Sequence, residues 1–196
     1  MKLLFLYAST NGHTRTISQH LATYINAQQP TWQITQQPIE TAHTITPSEF
    51  DGIILGASIR YGKHHRAVSA FIDQHQHTLT QRLFAFYSVN LTARKPEKNT
   101  PQTNPYIQKF YQSLPIKPTL DAVFAGRLAY PEYAWYNKLM ICLIMKLTHG
   151  PTNLSTIKVF TNWQAVEHFA QRLIAQLTQR YSWRSGKVVQ GGEPSP

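Results

Sequence analysis

The chain has 196 residues, of which 42% are apolar and only 14% are charged, a composition that excludes the highly charged disordered class and is right for one domain with a buried core. Its formal net charge of +10 favours an anionic partner but does not choose among nucleic acid, anionic lipid and a polycarboxylate ligand. The single cysteine, Cys142, excludes an intrachain disulfide.

Strand-like apolar runs alternate with helix-length segments, which predicts an α/β fold with a parallel sheet covered on both faces by helices. Leu3 to Ala8 is apolar throughout, as expected of a central parallel strand. Apolar residues spaced by three and four then predict a helix from Thr14 to about Gln28. Further strands are predicted at 32–36, 50–57, 83–89, 122–126 and 157–161, and further helices after residue 62, at 106–114 and from 163 to about 177.

Two segments depart from the alternation. Residues 90–105 are predicted to form an unusually long polar loop, of the kind that is functional or mobile in most compact domains. Residues 128–150 are aromatic and aliphatic and are interpreted as an insertion. We therefore expect one domain over residues 1–178, interrupted at about 128–150, and a flexible tail over 179–196.

The turn after the first strand has the composition of an anion-binding loop. Its residues are Ser9, Thr10, Asn11, Gly12, His13 and Thr14. Hydroxyl and amide side chains, a glycine at the bend and the free N–H groups of a helix start together predict a phosphate site. The alternative is that these side chains only cap the helix.

The loops after the next two central strands are expected to meet this turn at one crevice, because ligands bind at the carboxyl ends of parallel strands. These loops comprise Ser58, Ile59, Arg60, Tyr61 and Gly62, and Ser88, Val89, Asn90 and Leu91, and Tyr87 lies immediately before the second loop. Tyr61 and Tyr87 are expected to offer flat aromatic surface to a planar ring, and Arg60 a cation to an anionic ring or carboxylate. Either tyrosine could instead be an ordinary packing residue.

Several motifs resemble one enzyme family. Residues 9–14 (STNGHT) resemble the phosphate loop of flavodoxin-like FMN proteins, from which Asn11 departs at the third position. GASIRYG at 56–62, FYSVNL at 86–91, ARKPEK at 93–98 and TPQTN at 100–104 resemble the menaquinone-dependent protoporphyrinogen IX dehydrogenases, a branch of the flavodoxin-like superfamily. The resemblance covers residues 1 to about 175.

This resemblance implies a fold and a reaction. The fold is flavodoxin-like, with a five-stranded parallel sheet in the order 2-1-3-4-5 and the insertion around the fifth strand. The three loops named above would bind FMN, which carries the redox chemistry, so no side chain is assigned a catalytic role. The enzyme would oxidise protoporphyrinogen IX to protoporphyrin IX and reduce menaquinone or ubiquinone.

The implied substrate also suggests roles for the basic residues. Its propionates make Arg60, Arg94, Lys95 and Lys98 candidate contacts, although each could instead be a solvated surface charge. The membrane quinone places the protein peripherally on the cytoplasmic face of the bacterial inner membrane, whose anionic lipids favour a basic protein. Neither nucleic acid nor a metal is expected as a partner.

The insertion is predicted to contain a helix over about 133–147 with apolar residues nearly all round. Fifteen residues at roughly 1.5 Å each would be too short to cross a hydrocarbon core of roughly 30 Å. Aromatic residues and flanking lysines suit the membrane interface, whereas packing in the core or against another subunit remains open. The candidate membrane contacts are Tyr133, Trp135, Tyr136, Lys138, Leu139, Leu143 and Lys146.

Other readings of the sequence remain. An NAD(P)H:quinone oxidoreductase on the same fold would share the flavin and the quinone. A basic, non-catalytic flavodoxin-fold module would bind membrane or nucleic acid without a cofactor, and a simple electron carrier is disfavoured by the positive charge. The pairs His64–His65 and His75–His77 are interpreted as surface helix residues rather than as a metal site.

Overall fold

The computed structural model of the chain describes residues 1–148 and 150–184. Its strands are β1 (Lys2–Ala8), β2 (Gln33–Pro38), β3 (Gly52–Arg60), β4 (Lys63–His64), β5 (Leu83–Asn90), β6 (Leu120–Ala125), β7 (Arg127–Ala129) and β8 (Ile157–Val159). Its α-helices are α1 (His13–Gln28), α2 (Arg66–Gln81), α3 (Pro105–Gln112), α4 (Trp135–Leu147) and α5 (Trp163–Arg184). Short 3-10 turns lie at Ile39–Thr44, Pro47–Glu49, Leu91–Arg94, Pro96–Lys98 and Tyr130–Glu132.

The main sheet has the predicted topology. Its parallel strands follow the order β2-β1-β3-β5-β6, which is 2-1-3-4-5 when only parallel strands are counted. The two-residue strand β4 adds an antiparallel pairing to β3 that the sequence did not predict. Every residue of β5 is buried, because helices cover both faces of a central parallel strand.

Alternation along β1 divides the core into two layers. Leu3 and Phe5 pack with residues of α1 and α5 on one face of the sheet. Leu4 and Leu6 pack with residues of α2 and α3 on the other face. Because β1, β3 and β5 are parallel neighbours, the segments of the predicted site lie together at the carboxyl edge of the sheet.

The insertion begins and ends at the edge strand. After β6 and Gly126, the chain forms β7, passes through α4, and returns as β8, which pairs antiparallel with β7 in a separate two-stranded sheet. The strand predicted at 157–161 therefore exists in part, but the prediction that it continues the strand–helix alternation is wrong.

The segment predicted as a long open loop is compact. It folds into two 3-10 turns, and the side chains of Asn90 and Asn104 are buried. Asn104 Nδ2 donates to Asn90 Oδ1 at 3.2 Å and to the Lys98 carbonyl at 2.8 Å. These buried amide groups supply hydrogen-bond partners to one another and to the backbone in a segment that has no strand ladder. The segment is therefore a fixed part of the sheet edge.

The last helix is longer than predicted. It continues past Leu177 to Arg184, so residues 179–184 of the predicted tail are helical, and residues 185–196 lie outside the described residues. Across 1–148 and 150–184, no helix is both long enough and apolar enough to cross a membrane.

Candidate functional site

The turn between β1 and α1 is shaped as an anion-binding loop. Gly12 is the N-cap of α1 in the left-handed conformation (φ +79°), and it makes no side-chain cap. A Cβ placed on Gly12 would meet nothing within 4 Å, so the space beside the backbone is open. The first turn of α1 carries no acidic residue, and the free N–H groups and the helix dipole therefore favour a negative charge here.

The hydroxyl groups of this loop differ in what they bind. Ser9 Oγ accepts a hydrogen bond from the Arg15 N–H at 3.4 Å, as the capping alternative predicts. Thr14 Oγ1, in contrast, is buried and has no hydrogen-bond partner in the structure. A buried hydroxyl without a partner is costly, and its place in an open anion-binding loop indicates that a ligand completes the site.

The carboxyl end of β3 meets the first loop, as predicted for the segment that begins at Ser58. The Ser58 hydroxyl donates to the Ala8 carbonyl at 3.3 Å, and Thr10 Oγ1 lies 3.5 Å from Ser58 Oγ. Because the single Ser58 proton is used on Ala8, the Thr10 hydroxyl is the donor of that second contact.

His13 points inward and anchors the loop to the end of β6. Its Nε2 lies 2.6 Å from Thr161 Oγ1, and the Thr161 hydroxyl donates to the Ala125 carbonyl at 2.7 Å. Since Thr161 has one proton, His13 Nε2 carries the proton of the first bond. Burial, and secondly the charge of Arg127, lower the pKa of His13, so the ring is neutral at pH 7.

The segment Ser58–Gly62 is a hairpin rather than the predicted loop. Strand β3 continues to Arg60, and β4 pairs with it through Ile59 opposite His64 and Arg60 opposite Lys63. Tyr61 and Gly62 form the turn with φ values of +50° and +76°, the backbone of a type I′ hairpin. The usual sequence signal for this turn is Asn-Gly or Asp-Gly. The dipeptide Tyr-Gly lacks this signal, so the hairpin was not predicted.

Tyr61 is the exposed aromatic residue at the tip of this hairpin. Its side chain is 59% exposed, and its hydroxyl donates to Asn137 Oδ1 at 2.9 Å. The Arg60 guanidinium lies 5.2 Å from the centre of its ring. The ring of Tyr61 is therefore exposed at the hairpin tip, and its contact with a planar ligand stays a prediction.

Tyr87 does not line the crevice, and the prediction that it offers its ring to a ligand is wrong. It is completely buried, with its ring centroid 5.7 Å from that of Phe124 and 6.2 Å from that of Phe169. Its hydroxyl donates to the Thr14 carbonyl at 3.4 Å, so Tyr87 supports the phosphate loop from the core side. The next three side chains are also buried: Ser88, Val89 and Asn90. Leu91 is the first partly exposed residue after β5.

A polar network of the partly buried His64 and the buried Ser88 and Asn90 links the hairpin to β5. His64 Nε2 lies 2.9 Å from Ser88 Oγ, which also accepts a hydrogen bond from Asn90 Nδ2 at 3.3 Å. The placement of His64 on a surface helix is therefore wrong, because it belongs to β4 and packs on Phe110 at 4.4 Å between ring centroids. Burial lowers the pKa of His64 to about 3. His65 N-caps α2 by accepting from the Ala67 N–H.

The flavodoxin domain family matches residues 4–155. Protoporphyrinogen IX dehydrogenase [quinone] of Escherichia coli (strain K12) is 42% identical over 92% of this chain and 98% of its own length. The Leishmania major protein of the same name is 39% identical over 89% of this chain and 75% of its own length. A flavodoxin from the domain Archaea aligns with a TM-score of 0.48 at 14% identity, covering 91% of this chain and 99% of that chain.

The chain belongs to the flavodoxin domain family, in the protoporphyrinogen IX dehydrogenase branch. The resemblance seen in the sequence motifs is thereby confirmed. Membership indicates a flavin cofactor. The residues present fit the phosphorylated end of such a group, since the open space at Gly12 and the unpaired Thr14 hydroxyl supply what a bound phosphate needs.

The sequence predicts that Arg94 contacts a substrate carboxylate, but its guanidinium is bonded within the chain. Its Nη1 donates to the Leu91 carbonyl at 2.9 Å, and its Nη2 donates to the carbonyl of Thr148 at 3.2 Å and to the hydroxyl of the same residue. Thr148 is the C-cap of α4, where a cation is favourable. Lys95 and Lys98 are partly exposed and, among the described residues, form no ion pair.

Helix α4 is exposed on most of its surface. Only Met145 is buried, while the side chains of Trp135, Leu139 and Leu143 are 73%, 61% and 59% exposed. One face of the helix packs within its own chain, because Met145, Ile141 and Cys142 cluster with Leu128 and Tyr130, so the core alternative holds for that face only. Tyr133 precedes the helix and is held by a hydrogen bond from its hydroxyl to the Arg127 carbonyl at 3.3 Å. The structure leaves α4 available to a partner outside the chain.

Proposed function

We propose that this chain oxidises protoporphyrinogen IX to protoporphyrin IX with FMN as its cofactor and a quinone as electron acceptor. The observation that carries this proposal is the 42% identity to a protein named protoporphyrinogen IX dehydrogenase [quinone], which extends over 92% of this chain. The anion-binding loop and the exposed hairpin tip support it independently.

A bound FMN would supply two-electron redox chemistry, so the six-electron oxidation would take three rounds with three quinones. The chain's own residues bind and position the reactants. The N–H groups at the start of α1 and the Thr14 hydroxyl would hold the phosphate, and Tyr61 would cover the planar ring. Since the redox chemistry belongs to the cofactor, no side chain needs to act as acid or base.

Thr14→Val tests whether the buried hydroxyl serves a phosphate. Without FMN, we expect the free energy of unfolding to stay equal or to rise, because the change removes an unpaired polar atom. With FMN, we expect the dissociation constant to rise about tenfold, since a hydrogen bond to a charged group contributes about 1.5–3 kcal/mol. Titration by the quenching of flavin fluorescence measures the affinity.

Thr178→Val is the matched control for this prediction. Thr178 is an exposed residue of α5, so the same chemical change should leave FMN affinity as it is. Equal FMN affinity in Thr14→Val and the unchanged chain would show that the hydroxyl does not contact the phosphate.

Helix α4 is the proposed membrane contact of the enzyme. It presents exposed Leu139, Leu143 and Trp135 to solvent, and Lys138 and Lys146 lie on the same helix. Apolar and aromatic side chains with flanking lysines suit the interface of an anionic bilayer. We place this contact on the cytoplasmic face of a bacterial inner membrane, where menaquinone or ubiquinone is available.

Leu143→Glu should weaken binding to phosphatidylglycerol-containing vesicles by about tenfold or more, since burial of a leucine side chain contributes about 1.5–3 kcal/mol. Co-sedimentation with vesicles measures this effect. Ala27→Glu, at an exposed position of α1, is the control with the same added charge. Loss of binding in both variants would mean that net charge alone, rather than α4, determines the attachment.

The assigned reaction is tested directly by anaerobic incubation of the FMN-loaded protein with protoporphyrinogen IX and a soluble naphthoquinone. We expect porphyrin fluorescence to rise faster than in a control without enzyme. No acceleration would overturn the proposal. Rapid reduction of the flavin by NADPH would instead support the NAD(P)H:quinone oxidoreductase alternative, and a failure to bind FMN would support the non-catalytic module.

A further inference from the structure

The tip of the β3–β4 hairpin holds two cations side by side. Arg60 and Lys63 are directly opposite each other in the antiparallel register, and both are exposed. Like charges directly opposite on two strands destabilise a hairpin. Within the described part of the chain, neither residue forms an ion pair with an acidic side chain. The fold therefore maintains an unfavourable pair of charges at the edge of the proposed flavin site.

The backbone at the same tip is also in an unfavourable conformation. Tyr61 has a φ of +50°, a region that a large aromatic residue rarely occupies. Asparagine or aspartate would adopt this turn with less strain, so the aromatic ring must have another use. The ring has two neighbours: its hydroxyl donates to Asn137 of α4, and the Arg60 guanidinium lies 5.2 Å from the ring centroid.

Strain and charge repulsion concentrated in one exposed turn are typical of a ligand-binding element. We propose that Arg60 and Lys63 form a dicarboxylate-binding site, in which each cation binds one of the two propionates of the porphyrinogen. This inference rests on the function proposed above and adds Lys63, which the sequence did not single out. Arg94 is not available for this task because its guanidinium is bonded to Leu91 and Thr148.

The chemistry of the pair suits two separate carboxylates. Residues directly opposite on antiparallel strands have Cβ atoms roughly 5 Å apart, and two long flexible side chains can spread further. The guanidinium can bind one carboxylate through two parallel hydrogen bonds, and the ammonium can bind the other as a point charge. Tyr61 restrains Arg60, so this half of the site is oriented before the ligand arrives.

The test uses the full-length, FMN-loaded protein in neutral detergent, without quinone. Protoporphyrin IX and its dimethyl ester are titrated separately against the unchanged chain, Arg60→Gln, Lys63→Gln and Lys63→Arg. We expect each glutamine variant to bind the diacid about three- to tenfold more weakly, with the affinity for the diester unchanged and Lys63→Arg close to the unchanged chain. Lys117→Gln, an exposed lysine in the connection before β6, is the charge-matched control.

Several outcomes would overturn the proposal. The first is an equal affinity for the diacid in all variants, and the second is an equal loss of affinity for the diacid and for the diester. The third is weaker binding of the variants to phosphatidylglycerol vesicles with unchanged porphyrin affinity, which would make the tip a lipid-headgroup site. In turnover, the glutamine variants should raise KM for the porphyrinogen and leave kcat unchanged. If the unchanged chain shows no turnover, the proposed function is refuted. The dicarboxylate-binding site would not be refuted by that result, because the diacid titration measures it separately.

Discussion

Gly56→Ala is expected to lower the free energy of unfolding by about 3 kcal/mol, the upper part of the usual range for overpacking a core. A Cβ at Gly56 would lie 2.1 Å from Tyr87 Cζ and 2.2 Å from its hydroxyl oxygen. Gly56 and Tyr87 are register partners on neighbouring central strands, and Tyr87 is completely buried, so neither can move without disturbing the sheet. Urea unfolding followed by far-UV circular dichroism measures the loss.

Gly126→Ala is the matched control, because a Cβ there would make only an ordinary contact with Val89 Cγ1 at 3.5 Å. We expect its midpoint in urea to stay close to that of the unchanged chain. The double variant Gly56→Ala/Tyr87→Val should recover part of the stability lost in Gly56→Ala, since the smaller side chain makes room for the methyl group. Stability losses that simply add in the double variant would contradict the proposed steric conflict.

The second large effect is a pH dependence of stability that originates at His64. Burial lowers the pKa of this residue from 6.5 to about 3. Below pH 6.5 the unfolded chain binds a proton that the folded chain does not, so His64 stabilises the fold above pH 6.5 and this contribution is lost as the pH falls towards 3. The loss approaches about 1.4 kcal/mol per pH unit, which gives about 2 kcal/mol between pH 6 and 4.5.

His64→Gln should remove this part of the pH dependence, because glutamine can hydrogen-bond Ser88 without titrating. Unfolding in urea at several pH values between 4.5 and 7, with flavin-free protein, measures the difference between the variant and the unchanged chain. Burial also lowers the pKa values of His13 and His75, so the difference between the two curves, rather than either slope, reports His64. His77→Gln, at an exposed position of α2, should follow the unchanged chain, and parallel curves for His64→Gln would refute the assignment.

The structure also connects the phosphate loop to the insertion. His13 of that loop is bonded to Thr161 just after β8, and Thr161 is bonded to Ala125 at the end of β6. Within the insertion, Arg94 binds the C-cap of α4, and Tyr61 of the hairpin donates a hydrogen bond to Asn137 near the start of this helix. These two bonds attach the exposed helix to the flavodoxin core near both of its ends, which brings the proposed membrane contact beside the proposed cofactor site.

The sequence by itself determined the α/β class and the anion-binding turn, and the resemblance of its motifs implied the family and, through it, the order of the parallel strands. The class and the turn depend on local patterns: continuous apolar runs mark strands that are covered on both faces, and hydroxyl residues around Gly12 mark the start of a helix that can receive an anion. Helices α1 and α4 are predicted from local patterns too. The amphipathic spacing of α1 and the apolar character of α4 depend only on residues a few positions apart.

Only the tertiary structure decided which of the predicted site residues face the ligand. Tyr87 lies within β5 and Tyr61 directly follows β3. Alternation along β5 directs Tyr87 into the core beside Gly56, whereas the hairpin turn carries Tyr61 into solvent. Arg94 and Arg60 are equally basic in the sequence, and only the position of Thr148 shows that Arg94 is already bonded. Burial and pairing depend on residues distant along the chain, which no local pattern of apolar and charged side chains contains.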